Sequence, residues 1–301
     1  MSGLKEPSPM GETYARIPYY SALKGRYMKI TTLVEDTATK PGLLAEHGLS
    51  ILIETGKNNI LFDTGQFRSL FYNAKVLKID LSKVDKIVLS HGHYDHTGGL
   101  KKLLSRTGKV EVYAHPDVFA PKYAKGKERD RYIGIPYKKA ELESKGAVFH
   151  LSREPISLAD NIMTTGEIKR LTDFEPISDD LCVMRNGKLQ KDVLLDDQAL
   201  IIKADVNDIL VVLGCTHAGV VNTLQQINEL IGEAKISMII GGTHLLHADK
   251  CRIKRTIDAL LGFGVKKVAT SHCTGMRASV MFLDAFGSNF IENHVGTQIN
   301  F

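Results

Sequence analysis

The chain has 301 residues, 43% of them hydrophobic, and carries 39 Lys and Arg against 34 Asp and Glu. A formal net charge of +5 with no tryptophan, and no basic run interleaved with aromatics, falls short of a nucleic-acid footprint while permitting attraction of anionic small molecules. No apolar run approaches the roughly eighteen residues of a membrane-spanning helix.

The four cysteines, Cys182, Cys215, Cys251 and Cys273, are far apart and form no Cys-x-x-Cys pair, so reduced thiols are expected rather than a disulfide frame. Residues 1–27, rich in Gly, Pro, Ser and Tyr, contain no apolar stretch of signal-peptide type and are read as an N-terminal arm. The expectation is a cytoplasmic enzyme with one large domain over residues 28–301.

From Met28 the chain alternates apolar runs and turn residues. Strands are expected at Met28–Val34, Leu49–Glu54 and Asn59–Phe62, with Gly48 and Gly56-Lys57-Asn58 as the turns. Lys86-Ile87-Val88-Leu89 is a buried strand that stops at Ser90-His91-Gly92-His93-Tyr94-Asp95-His96-Thr97-Gly98-Gly99. Three histidines and an aspartate within six residues, at a strand's end, concentrate nitrogen and oxygen donors in one small volume. Imidazole suits zinc, iron and their neighbours, and carboxylate suits harder ions, so the mixed set points to a one- or two-metal site. Gly98 and Gly99 then open a helix with Leu100, Leu103 and Leu104 on its apolar stripe, and are expected to let backbone approach a metal or an oxyanion.

Val110–Ala114 is a further strand. Beyond it lies a basic stretch of Lys122, Lys125, Lys127, Arg129, Arg131, Lys138 and Lys139, opposed by Glu128 and Asp130. It belongs to an insertion at about 115–180, and is either a solvated loop or a lid that meets a substrate phosphate. Three strand-then-helix units close the chain. Asp208–Leu213 leads into Gly214-Cys215-Thr216-His217, Ser237–Gly242 into Thr243-His244, and Lys267–Thr270 into Ser271-His272. Each delivers polar or ligand-type residues at a strand's C-terminal end, where open α/β sheets place their sites.

The His-x-His-x-Asp-His motif with its Gly-Gly resembles the metallo-β-lactamase superfamily. Asn59-Ile60-Leu61-Phe62-Asp63-Thr64-Gly65 is similar to the strand and Asp-Thr-Gly turn that precede the metal loop there. Gly214-Cys215-Thr216-His217-Ala218-Gly219, Gly241-Gly242-Thr243-His244 and Ser271-His272-Cys273-Thr274-Gly275 resemble one branch, the synthases of 7,8-dihydropterin-6-methyl-4-(β-D-ribofuranosyl)aminobenzene 5'-phosphate. The resemblance implies an α/β (α+β) fold, an αββα four-layer sandwich carrying the basic insertion. It implies one or two divalent metals, zinc first and magnesium, manganese or iron as alternatives. His91 and His93 would hold one ion and Asp95 and His96 another, with His217 and His272 completing the shell.

The sequence departs from the common superfamily pattern, which has a histidine before one strand and an aspartate after it. Asp197 stands before the strand here, and Cys215 and His217 after it. Cys215 is either a thiolate ligand or a small buried residue. Asp95 and His244 are the candidate catalytic groups, His244 as a proton carrier or phosphate holder. Arg170 is a candidate bidentate phosphate fork and Glu167 a partner for a pterin amine, with an ion pair between the two as the alternative. The function expected is transfer of a dihydropterin methyl group, activated as a diphosphate, to an aminobenzene-ribofuranosyl phosphate. The alternative is a metal-dependent hydrolase of a phosphoester, lactone or similar small molecule. Either takes a phosphorylated or small substrate, with no nucleic-acid or membrane partner and possible homo-oligomerisation.

Overall fold

The strand Asn59–Phe62 shows how the architecture is built. Ile60 and Phe62 point to one core while Leu61 points to another, and all three are fully buried, as period-two alternation in a doubly covered strand requires. A computed structural model describes residues 28–205, 208–232 and 235–301. The N-terminal arm expected at 1–27 lies outside the described residues.

Two seven-stranded sheets stack face to face. The first runs, in spatial order, Gln298–Asn300, Met28–Val34, Ser50–Thr55, Asn59–Phe62, Lys86–Val88, Val110–Ala114 and Ala147–Leu151. Its first four strands pair antiparallel and the rest parallel. The second runs Phe290–Glu292, Lys267–Ser271, Ile236–Gly242, Asp208–Leu213, Leu200–Asp205, Ile162–Thr164 and Ser157–Ala159, parallel through its first four strands and antiparallel beyond.

Ile30, Ile51, Ile53, Ile60 and Phe62 of the first sheet meet Leu200, Ile202, Leu210, Val212 and Ile240 of the second in the central core. The outer face of the first sheet is covered by Ser69–Val76 and Leu100–Thr107, and that of the second by Val220–Ile231, Lys250–Gly262 and Met276–Phe286. The order of layers is helix, sheet, sheet, helix. Fully burying a side chain such as Ile, Leu or Phe contributes about 1.5–3 kcal/mol, so each of the three clusters is a substantial term. Among the described residues no helix is long and apolar enough to cross a membrane.

The stretch expected as one insertion at about 115–180 is divided among three places. Ala147–Leu151 extends the first sheet, and Ser157–Ala159 with Ile162–Thr164 extends the second. Lys122–Ala124 and Arg131–Tyr132 join Leu181–Arg185 and Lys188–Lys191 in a separate four-stranded antiparallel sheet. That small sheet leans on the metal motif, since Tyr94 donates its N–H to the Ile133 carbonyl at 2.9 Å.

The basic stretch also needs correction at one member. Lys122 is 1% exposed, its Nζ 3.0 Å from Asp192 and 2.8 Å from Asp196. Two carboxylates hold it charged in the interior against the cost of burial. Asp196 in turn accepts the N–H of Gly92 at 2.7 Å, so the ion cluster ties the small sheet to the motif loop. Lys122 is a buried strut, whereas Arg131 is exposed and lies over the Tyr94 ring at 5.7 Å.

Candidate metal centre

Beyond the strand Lys86–Val88 the chain stays buried through His93 and turns into the one-turn helix Tyr94–Thr97. His91 and His93 lie on the extended segment before the helix, and Asp95 and His96 on its first turn. Gly98 and Gly99 serve this loop differently from the expectation. A Cβ on Gly98 would sit 1.9 Å from the Gln66 carbonyl oxygen, and one on Gly99 2.2 Å from that of Thr64. They make room for the Asp-Thr-Gly turn rather than for an anion.

That turn orients the histidines. Asp63, fully buried, accepts from Ser90 N–H and Oγ–H at 2.7 Å each, and its Oδ2 is 2.7 Å from Nδ1 of His96. The carboxylate fixes the proton on Nδ1 and leaves the Nε2 lone pair free. Because the Ser90 hydroxyl gives its hydrogen to Asp63, it accepts from Nδ1 of His91 at 2.9 Å, and His91 likewise presents Nε2. This Nε2 is 2.9 Å from Nδ1 of His93, so the two imidazoles face one small volume.

The second sheet supplies the opposite wall. The strand Asp208–Leu213 delivers Cys215 and His217, and Lys267–Ser271 delivers His272. One ligand atom each of His91, Cys215 and His217 lies within 4.8 Å of the other two, and the same holds for His96, Cys215 and His272. Cys215 therefore belongs to both groups. Its Sγ is 3.2 Å from Nε2 of His96. Cys215 thus stands where both sets of imidazoles converge, in the place where the common pattern has an aspartate. Ring contacts at 4.9 Å bring His217 against both His91 and His93, and at 4.2 Å against His244.

Whether a metal suits these residues can be judged from what they lack. His93 Nε2, both ring nitrogens of His217, His244 Nδ1 and Asp197 Oδ1 are buried with no hydrogen-bond partner, and uncompensated buried polar atoms are costly. Burial holds His91 and His217 well below the ordinary histidine range and His93 at about 3, so all three are neutral at physiological pH, the ligating form. Burial pushes the Asp95 carboxyl up, but His96, then His272, outweigh it and hold it below the usual carboxylate range. Imidazoles, one thiol and one carboxylate form a donor set suited to zinc or iron. The residues fit.

Four site residues take left-handed backbone conformations without being glycine: Asp63 at φ 59°, Thr216 at 55°, His244 at 50° and His272 at 52°. Such strain persists only where surrounding contacts fix it, and it clusters at functional sites.

The chain belongs to the metallo-β-lactamase superfamily. Residues 44–183 match the superfamily's sequence pattern. The chain is 37% identical over 289 residues to 7,8-dihydropterin-6-methyl-4-(β-D-ribofuranosyl)-aminobenzene-5'-phosphate synthase of Methanocaldococcus jannaschii, covering 91% of this chain and 97% of that one. A second protein of that organism, uncharacterised, is 33% identical over 273 residues, 90% of this chain and 99% of its own. The crystal structure of Tm1679, described as a metal-dependent hydrolase of the β-lactamase superfamily, superposes with a TM-score of 0.78 at 30% identity, over 90% of this chain and 98% of that one.

Members of the superfamily generally bind divalent metals, and the structure brings His91, His93, Asp95, His96, His217 and His272 to one place. His244 joins them at the rim. Arg170 and Glu167 each have other partners, and the ion pair between them that stood as the alternative does not form. Arg170 donates to the carbonyls of Ala218 at 3.2 Å, Val193 at 3.0 Å and His217 at 2.9 Å. Its guanidinium clamps the His217 loop. Glu167 pairs with His115 at 3.2 Å and Arg153 at 3.8 Å, not with Arg170.

Two residues escaped sequence reasoning. Asp36 lies 2.8 Å from Nδ1 of His272, and 3.1 Å from Nδ1 of His47. The signal was present for Asp36, which follows the end of the strand Met28–Val34 as the motif follows its own strand.

Proposed function

We propose that the chain joins a dihydropterin methyl carbon, activated as a diphosphate, to the amine of an aminobenzene-ribofuranosyl phosphate. The observation that carries this reading is the 37% identity to the Methanocaldococcus jannaschii synthase over nearly the whole of both chains. Zinc is the metal we assign, iron being the alternative that the thiol and imidazoles also suit.

Bound divalent metal would supply positive charge to neutralise a departing diphosphate. The chain's own residues supply the rest. In the transfer, a carbon–nitrogen bond forms at the methyl carbon, the bond from that carbon to the diphosphate oxygen breaks, and the amine gives up one proton. His244 is suited to take that proton at Nδ1, which is buried without a partner on a ring tilted against that of His217 at 4.2 Å. Asp95 provides a fixed negative charge among four histidines. Arg131, exposed over Tyr94 of the motif, is the cation of the basic stretch that this reading assigns to the substrate's phosphate. The carbonyl-bound Arg170 has no part in phosphate binding under this reading.

A second reading is kept because Tm1679, at 30% identity, is described as a hydrolase. Purified protein loaded with zinc is incubated with hydroxymethyl-dihydropterin diphosphate and the aminobenzene-ribofuranosyl phosphate, and separately with a phosphodiester and a lactone. The transferase reading expects a condensed product that requires both substrates and releases diphosphate. Turnover of the diester or lactone alone, without condensation, would replace it with the hydrolase reading.

A further inference from the structure

The loop that follows the strand Met28–Val34 is not free. Glu46 accepts the N–H groups of Phe67, Arg68 and Ser69 at 2.7–3.3 Å, which seats the loop on the start of the helix Ser69–Val76. Two residues later, Gly48 presses on the motif. With φ at +134°, a Cβ there would stand 2.2 Å from the Asp95 carbonyl oxygen, and the next residue, Leu49, donates to that oxygen at 3.3 Å. His47 is held between these two anchors.

Its ring is also oriented. Asp36 places one carboxylate oxygen 2.8 Å from Nδ1 of His272 and the other 3.1 Å from Nδ1 of His47, and the oxygen on the His272 side also accepts Gly48 N–H at 3.1 Å. One carboxylate thus turns two imidazoles the same way. Both Nε2 atoms then face the same acceptor: each is 3.4 Å from Asp95 Oδ2. Nε2 of His96 is 3.6 Å from it. In a tetrahedral zinc site with ligands at about 2.0–2.2 Å, neighbouring ligand atoms are about 3.3–3.6 Å apart. The three separations match that edge.

The geometry points to His47 as a further ligand of the second metal position, which then draws on Asp95, His96, His272 and His47. The ligand is a divalent first-row transition cation, since three imidazoles and one carboxylate select for that class. This inference rests on the reading that Asp95, His96 and His272 hold metal. His47 differs from them in exposure: its side chain is 57% exposed, against 9%, 0% and 1% for the other three. It closes the position from the solvent side.

The test uses the full-length, metal-stripped protein titrated with cobalt(II) alone, read by equilibrium dialysis and by the visible ligand-field absorption. Wild type, His47→Ala, Asp36→Asn and His272→Ala are compared, with thermal melting of each metal-free protein as the control on folding. Wild type is expected to bind two equivalents, and His272→Ala to lose the second. In His47→Ala the second equivalent should bind at least about ten-fold more weakly, with a changed band, and millimolar imidazole should restore the wild-type band because the gap opens to solvent. Asp36→Asn, which also releases His272, should weaken the second equivalent in the same direction, and His47→Gln, which removes the imidazole but keeps a donor to Asp36, keeps the inference testable if His47→Ala folds poorly. If His272→Ala binds like wild type, the reading of the second metal position fails. If His272→Ala loses cobalt while His47→Ala keeps wild-type affinity and spectrum, the His47 inference alone is overturned.

Discussion

Cys215 Sγ stands 3.2 Å from Nε2 of His96, and that imidazole is fixed from behind by Asp63 at 2.7 Å. A thiol in this position meets lone pairs from both sheets. Burial pushes it well above the ordinary cysteine value, so without metal it stays protonated, and a bound cation would take the place of the proton.

Replacing Cys215 by Ala should therefore lower metal content from two ions to one or fewer, with affinity falling at least about ten- to a hundred-fold, by analogy with the loss of orienting groups around metal ligands. Cys215→Asp, which restores the carboxylate of the common pattern, should recover the second ion. Elemental analysis after dialysis measures both. Equal zinc content in Cys215→Ala and wild type would return the residue to a packing role.

Asp197 gives a pH prediction. Burial pushes its carboxyl up to about 7 from an ordinary 3.8. The folded protein thus holds this proton up to about pH 7 while the unfolded chain releases it near pH 3.8, so this group's contribution to stability declines as pH rises through that window. Asp197→Asn keeps the oxygen that accepts Ala218 N–H at 2.8 Å and removes the charge. In metal-free protein the variant should gain stability relative to wild type between pH 5 and pH 8. Urea midpoints at the two pH values are the measurement, and a constant difference would mean that the carboxylate is ionised throughout.

Lys122→Met should be among the most damaging substitutions outside the centre itself. It leaves Asp192 and Asp196, both nearly fully buried, without their shared cation. Breaking a buried pair by removing one partner typically costs about 3–5 kcal/mol. Because Asp196 also holds Gly92, metal affinity should fall along with stability. Chemical denaturation and zinc titration of the variant together check this, and a loss under about 1 kcal/mol would contradict a charged strut.

Arg170→Lys tests the clamp. An ammonium cannot reach three carbonyls with a planar fork, and a hydrogen bond to a charged group contributes roughly 1.5–3 kcal/mol. The melting temperature should drop by several degrees, while KM for a phosphorylated substrate stays within about two-fold of wild type. A selective rise in KM at unchanged stability would instead assign Arg170 to the phosphate.

What could be read in advance follows from range. The strands at Met28–Val34 and Asn59–Phe62, and the helices Val220–Ile231 and Lys250–Gly262, declare themselves through local periodicity. The His91 to His96 cluster declares itself because its donors are neighbours in sequence. His47 is a single histidine in an irregular loop, and only the fold brings it to His272, 225 positions away. Lys122 looked like one of seven solvated cations because its carboxylates lie 70 and 74 residues downstream. The carbonyl partners of Arg170 are hidden for a related reason: backbone oxygens of a distant loop have no signature in sequence.

The donors that make up the centre come from two sheets. His91, His93, Asp95 and His96 follow a strand of the first, and Cys215, His217 and His272 follow strands of the second. A cation held by both sets would act as a clasp at one edge of the sandwich, joining parts of the chain that must each be largely built before it can close. Such a contact forms late and is weak or absent in the folding transition state, so its influence falls on escape from the native state rather than on arrival. Stripping metal should leave the refolding rate nearly unchanged and shorten the native lifetime, with proteases gaining entry where the two sheets part.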